Sequence, residues 1–183
     1  MDNQGNVIAV WSQSLSNMAS NIGTSRYAAG RSWDTPTLLE TDDVGSAGVP
    51  EVTMDRSGNA VAVWVQSDGT YYNVWANRYI KGNGWGKPAR VEGNAGDASG
   101  PALGTDSLGN VMAVWTQSDG VRFNIWANRY TAGGSWGTPT LVESANAGSA
   151  SNPLIAVDDA GDAVAVWLQS DGTHWNLWAN RFE

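Results

Sequence analysis

Apolar and polar residues alternate along much of this chain with a period of two. No stretch of about ten residues or more shows helical spacing with caps. In NAVAVWVQ, Asn59 to Gln66, the residues Ala60, Ala62 and Trp64 share one face, and Val61, Val63 and Val65 share the other. Both faces are apolar, which predicts a strand covered on both sides. In NVWANRY, the residues Asn73, Trp75, Asn77 and Tyr79 face one way and Val74, Ala76 and Arg78 the other.

The pattern comes in copies. Asp55 opens DRSGNAVAVWVQSDGTYYNVWANRY, Asp106 opens DSLGNVMAVWTQSDGVRFNIWANRY and Asp158 opens DDAGDAVAVWLQSDGTHWNLWANRF. Asp2 opens a shorter version, DNQGNVIAVWSQS, followed downstream by SRY. Trp11, Trp64, Trp115 and Trp167 stand 53, 51 and 52 residues apart, and two further tryptophan series keep that step. Each unit reads as four strands. An apolar run follows a proline (Pro50, Pro101, Pro153), placing proline at the strand start. An Asp-x-x-Gly turn leads to the doubly apolar strand. Ser-Asp-Gly then turns into NVWANRY, and a glycine-rich loop with a tryptophan leads to a short fourth strand: TPTLLE, KPARVE or TPTLVE.

Equivalent four-stranded units of this length, with turn signals and no helices, predict an all-β propeller. The units are approximately 1–49, 50–100, 101–152 and 153–183 of one domain, making about four blades with the two end blades incomplete. The tryptophan of each second strand is expected to pack on alanines of the next sheet. Two closures are open. The chain can close on itself as four blades, the last borrowing the strand near Pro36 to Glu40. Alternatively, two chains can join in a larger ring, which is favoured because such blades more usually form rings of about six to eight.

Composition narrows function mainly by exclusion. Ten Lys and Arg stand against eighteen Asp and Glu, a net charge of −8, which disfavours nucleic acid and anionic membranes as partners. There is no cysteine for a disulfide framework or a thiolate site. No apolar run approaches the roughly 20 residues of a spanning helix. The first residues do not read as a signal peptide, and Met1 enters almost in mid-repeat, as expected of an initiator on a piece of a longer repeat protein or of a short gene derived from one. The compartment stays open. Eleven tryptophans against two phenylalanines mark indole as the standard core residue of the repeat.

The Ser-Asp-Gly turns with a downstream tryptophan, as in Ser67 to Trp75, resemble the Asp-box of sialidase-type β-propellers, in which Ser-x-Asp-x-Gly-x-x-Trp forms a hairpin turn. Here Asp and Gly are adjacent and the tryptophan lies further on. The Gly-Trp loops are similar to those of propeller lectins. The resemblance implies fold rather than activity, because Asp-box turns occur in enzymes and non-enzymes alike. Sialidase-like chemistry would gather several arginines around a carboxylate, beside an activated tyrosine. Arg26, Arg78, Arg129 and Arg181 are equivalent by repeat and would be spread among blades.

No catalytic set stands out. His174 is the one histidine, in a turn position that varies between copies. Glu40, Glu92 and Glu143 end the fourth strands, with nothing to single out a glycosidase pair. Asp2, Asp55, Asp106 and Asp158 lack the alternating oxygen ligands of a calcium loop, so neither a metal nor a cofactor is expected. The remaining candidates are the loop tryptophans Trp33, Trp85 and Trp136, whose indole faces suit sugar rings. The turn aspartates Asp68, Asp119 and Asp171 are candidate hydroxyl partners. The expectation is a non-catalytic, multivalent glycan-binding propeller. A structural or protein-interaction repeat without sugar binding is the alternative, and an Asp-box glycosidase-like enzyme ranks behind both.

Overall fold

The computed structural model describes residues 1–14, 19–40, 45–144 and 148–183. Every named element is a strand, and the strands form four antiparallel sheets. The first blade holds β1 (Val7–Ser14), β2 (Ser20–Tyr27) and β3 (Thr37–Leu38). The second holds β4 (Ala47–Met54), β5 (Ala60–Ser67), β6 (Tyr72–Ile80), β7 (Gly84–Trp85) and β8 (Ala89–Arg90). The third holds β9 (Ala98–Thr105), β10 (Val111–Ser118), β11 (Phe123–Tyr130) and β12 (Thr140–Leu141). The fourth holds β13 (Ala150–Val157), β14 (Ala163–Ser170) and β15 (Trp175–Phe182).

Within a blade the strands pair in chain order, except that β7 and β8 both pair with β6, and the leading strands β4, β9 and β13 lie against one another from blade to blade. Each sheet is therefore mounted side by side with the next. Thr37 and Leu38 pair with Thr24 and Gly23 of their own blade, so this strand is not lent to the fourth blade. The leading strands also start earlier than their prolines predict. Pro50, Pro101 and Pro153 lie inside β4, β9 and β13. Each follows a residue with positive φ: Val49 at 50°, Gly100 at 54° and Asn152 at 53°. The ladder slips there, between Gly48 and Glu51 and between Ser151 and Leu154. A bulge leaves one residue out of the ladder, which suits a proline that has no N–H to donate.

The Asp-x-x-Gly turns hold together through the aspartate. Asp2 Oδ1 accepts the backbone N–H groups of Gln4 and Asn6 at 2.9 Å, and Asp2 Oδ2 accepts the Asn6 amide at 2.7 Å. Asp55 and Asp106 do the same for Asn59 and Asn110. Both carboxylate oxygens of these three aspartates thus accept hydrogen bonds from their own turn. Lys81 of the second blade adds its ammonium 3.6 Å from Asp2 Oδ2.

Burial pushes the Asp2 carboxyl up, but the Asn6 amide, the two backbone N–H groups and Lys81 outweigh it and hold it down at about 2. A carboxylate held below its unfolded value of about 3.9 stabilises the fold above that pH, and the contribution fades as the pH falls toward about 2. Asp2→Asn is expected to lower the urea midpoint at pH 5 and to converge on the unmodified chain as the pH approaches 2. An equal deficit at every pH would contradict this.

The core lies between blades. Trp64 packs with Ile22 and Leu39 of the first blade. Trp115 packs with Val63, Val74 and Val91 of the second, and Trp167 with Val114, Ile125 and Val142 of the third. Each indole thus faces the preceding blade and meets branched aliphatic side chains there, with Ala76 and Ala127 beside them. The expected bed of alanines on the next sheet is thus replaced by a mixed surface on the preceding blade, branched aliphatic side chains with alanines among them. Each of these indoles donates Nε1–H to the glutamine two residues on, Gln66, Gln117 or Gln169. A polar stitch repeats as well. The Nδ2 groups of Asn77, Asn128 and Asn180 donate to the carbonyls of Leu39, Val91 and Val142 on the preceding blade.

Candidate functional site

The three loop tryptophans close on the tyrosine at the end of their own third strand. Trp33 meets Tyr27 with ring centroids 5.6 Å apart, Trp85 meets Tyr79 at 5.6 Å and Trp136 meets Tyr130 at 5.7 Å, all tilted or edge-on. Edge-to-face contact places the positive ring edge against the negative face. Trp85 and Trp136 are half-buried and also pack against the core they share with the preceding blade. Trp33 belongs to the first blade and is 49% exposed.

Asp68, Asp119 and Asp171 sit at the opposite end of the third strand, in the turns that lead into it. Asp68 Oδ1 accepts the N–H groups of Thr70 and Tyr71, and Asp119 Oδ1 those of Val121 and Arg122. Asp171 Oδ1 accepts those of Thr173 and His174. The backbone donors at Tyr71, Arg122 and His174 hold the respective carboxyls below the usual range. Asn124 and Asn176 bond the second oxygens of Asp119 and Asp171. Tyr72 and Tyr79, at the two ends of β6, are separated by roughly 23 Å of extended chain. The fold therefore does not bring these aspartates to the indoles as partners in one site, since turn and loop lie at opposite edges of the sheet. His174 is exposed beside Thr173 Oγ1, at 2.9 Å.

What the fold does bring to Trp136 is a groove of about 480 Å³ between the second and third blades. Its polar and aromatic lining includes Asn77, Arg78, Lys87, Arg90, Tyr130 and Trp136. The Arg78 guanidinium lies 5.3 Å from the Tyr130 ring centroid, a cation–π distance. Arg90 is anchored: it donates to Glu92 Oε1 at 2.7 Å and to Asn73 Oδ1. Among the described residues, Arg78 and Lys87 have no carboxylate partner. The lining contains no Asp or Glu. In a chain of charge −8, a groove with two cations that lack carboxylate partners, beside the Glu92-paired Arg90, is a local reversal of sign.

The sequence reading named Trp136 and missed the other members of this groove. The signal was present. Arg78 shares a strand face with Val74 and Ala76, the face that covers the next blade, so alternation already aimed it toward Tyr130.

A second groove, of about 500 Å³, opens at the opposite edge of the blades, lined by Ser12, Ser46, Val49, Tyr72, Asp97 and Phe123 among others. Val49 holds the positive φ of the bulge there, a conformation that β-branched residues rarely adopt. Glu40, Glu92 and Glu143 are buried inside their blades, each about 5% exposed. Glu40 and Glu143 accept the backbone N–H of Ile22 and Ile125. Burial pushes the Glu143 carboxyl up against that bond.

No family model matches this chain, and no curated protein matches it at significant similarity. Solved structures do match. A Hadza microbial sialidase, Hz136, superposes with a TM-score of 0.66 at 15% identity, over 98% of this chain and 42% of its own. The GH93 α-L-arabinofuranosidase of Fusarium graminearum, solved with arabinobiose, gives 0.65 at 10% identity, over 99% and 60%. The fold is a β-propeller. A PL25 ulvan lyase bound to a glucuronate–sulfated rhamnose unit gives 0.62 at 13% identity, over 96% and 53%. The chain thus spans about half the length of these propellers. At such identities the likeness concerns the arrangement of blades.

Proposed function

We propose that this propeller is a non-catalytic carbohydrate-binding protein whose principal site is the groove between its second and third blades, and that it takes an acidic sugar. The observation that carries the reading is the pairing of Trp136 and Tyr130 with Arg78 and Lys87, two cations without carboxylate partners, in one groove. The half-buried Trp136 offers its indole to the apolar face of a pyranose, the buried Tyr130 ring holds the Arg78 guanidinium in place beside it, and the two cations meet a carboxylate or sulfate. A groove lined by no carboxylate supports binding over glycoside hydrolysis, which ordinarily needs two flanking carboxyl groups. Its structural neighbours include proteins described as acting on glycans, which supports a carbohydrate context.

The test is a glycan array followed by titration calorimetry of the best hit. Saturable binding of uronates or sulfated sugars, weakening as salt is raised, is expected. Lys87→Ala is expected to weaken that binding about fivefold, the ~1 kcal/mol of one exposed charge contact, without moving the melting temperature. Trp136→Ala is expected to abolish it. Because Trp136 also touches the interblade core, this variant is judged by affinity measured on chain that is still folded. An array blank for acidic and neutral sugars would overturn the proposal. It would favour the second reading, a structural or protein-interaction repeat, for which the half-burial of Trp85 and Trp136 against Tyr79 and Tyr130 already speaks.

A further inference from the structure

The two outer faces of the blade stack are the two halves of one interface. At each interior junction the third-strand aliphatic of one blade and the second-strand indole of the next cover each other. Ile22, Val74 and Ile125 are all fully buried by this contact, and Trp64, Trp115 and Trp167 are at most 2% exposed. The fourth blade carries the same aliphatic position as Leu177, which is 74% exposed. Beside it on that face, Val164 is 45% exposed where its equivalent Val61 is 4%, and Leu154 is 64% exposed. At the other end, the first blade turns Val7, Ala9 and Trp11 outward, all partly exposed, where Ala60, Ala62 and Trp64 are buried. Trp33 lies open at the same end.

A contiguous apolar face of this kind marks a surface that is covered in the working protein. What fits it occurs three times within the chain itself, because each interior junction joins these same two faces. We propose that a second copy of this chain docks on it head to tail, the Leu177 face of one copy taking the Trp11 face of the other as the fourth junction of the series.

One detail of the first blade agrees. The interior junctions use an asparagine, Asn77, Asn128 or Asn180, to reach a carbonyl of the preceding blade. The first blade has Ser25 there, and its Oγ donates to Asp34 O of its own blade at 2.8 Å. The Trp11 face therefore asks no fourth-strand carbonyl of its partner. The two faces differ, so the contact is heterologous and propagates into a closed ring or an open chain rather than a twofold pair of like faces.

Sedimentation of the unmodified chain, from micromolar to submillimolar concentration, tests this directly. The weight-average mass is expected to rise above that of one chain. Leu177→Asp, on an exposed side chain, and Ala9→Arg, at the other face, are each expected to weaken association by about thirtyfold or more, with unchanged tryptophan fluorescence. Mixed together, the two variants are expected to form a one-to-one dimer and stop, since each retains one good face. A chain monomeric at every concentration would overturn the proposal. So would variants that associate as the unmodified chain does, or a mixture that stays monomeric while the unmodified chain assembles, which would point to like faces meeting.

Discussion

Replacing Trp115 with alanine is expected to destabilise this propeller by about 3–5 kcal/mol, while the same replacement at Trp11 destabilises it by about half as much or less. The two residues occupy one repeat position. Trp115 is fully buried against Val63, Val74 and Val91, so its removal leaves a cavity that rigid strands on both sides cannot close. It also deprives Gln117 of its indole donor at 3.0 Å, and Gln117 is itself 1% exposed. An orphaned acceptor in that place adds its own penalty. Trp11 makes the same bond to Gln13 at 2.9 Å but is partly open to water, and truncating a wetted side chain forfeits less burial. Urea unfolding followed by far-ultraviolet circular dichroism measures both. Equal losses at the two positions would mean that the junction, as opposed to the blade, is not the unit of stability. Should the chain assemble through the Trp11 face, the gap between the two variants is expected to narrow with concentration.

The second large effect is expected at Gly96, in the connection between the second and third blades. Its φ is +116°, and a Cβ there would run into the backbone carbonyl oxygen of Ser118 on the neighbouring hairpin. A carbonyl in a paired strand cannot step aside as a side-chain tip can. Gly96→Ala therefore combines left-handed strain with overpacking, each about 1–3 kcal/mol, for a loss of about 2–6 kcal/mol. Gly45 and Gly148 hold the same place beneath Ser67 and Ser170, where a Cβ would come within 2.6 Å of the carbonyl oxygen, without positive φ. Gly120 has positive φ but nothing within 4 Å, so Gly120→Ala is expected to cost only about 1 kcal/mol. Thermal melts of the series should rank Gly96 above Gly45, and Gly45 above Gly120. A Gly96→Ala chain no weaker than Gly120→Ala would show that the connection can move away from the hairpin.

The close approach at Gly96 was not legible in the sequence, where it is one more glycine in GNAGDASG. The groove at Trp136 was half legible. Its indole stood out by its loop, and Arg78 was placed on the correct strand face. That this face meets Tyr130 depends on which blade stands beside it. Asp68, Asp119 and Asp171 were legible as turn residues, and their bonds to the turn backbone show them in that part.

The sequence by itself determined the blade: its strands, its turns and the two faces of each strand. Those follow from a local rule, since successive side chains on an extended chain point opposite ways whatever surrounds them. Only the tertiary structure decided which faces are covered, where the bulge falls and what meets across a junction. β5 and β14 make the point. AVAVWVQS and AVAVWLQS differ at one position, yet the first is buried along nearly its whole length while the second alternates between buried and open. The backbone is the same in both. The difference is the neighbouring sheet, and burial is a property of a residue together with what lies across from it.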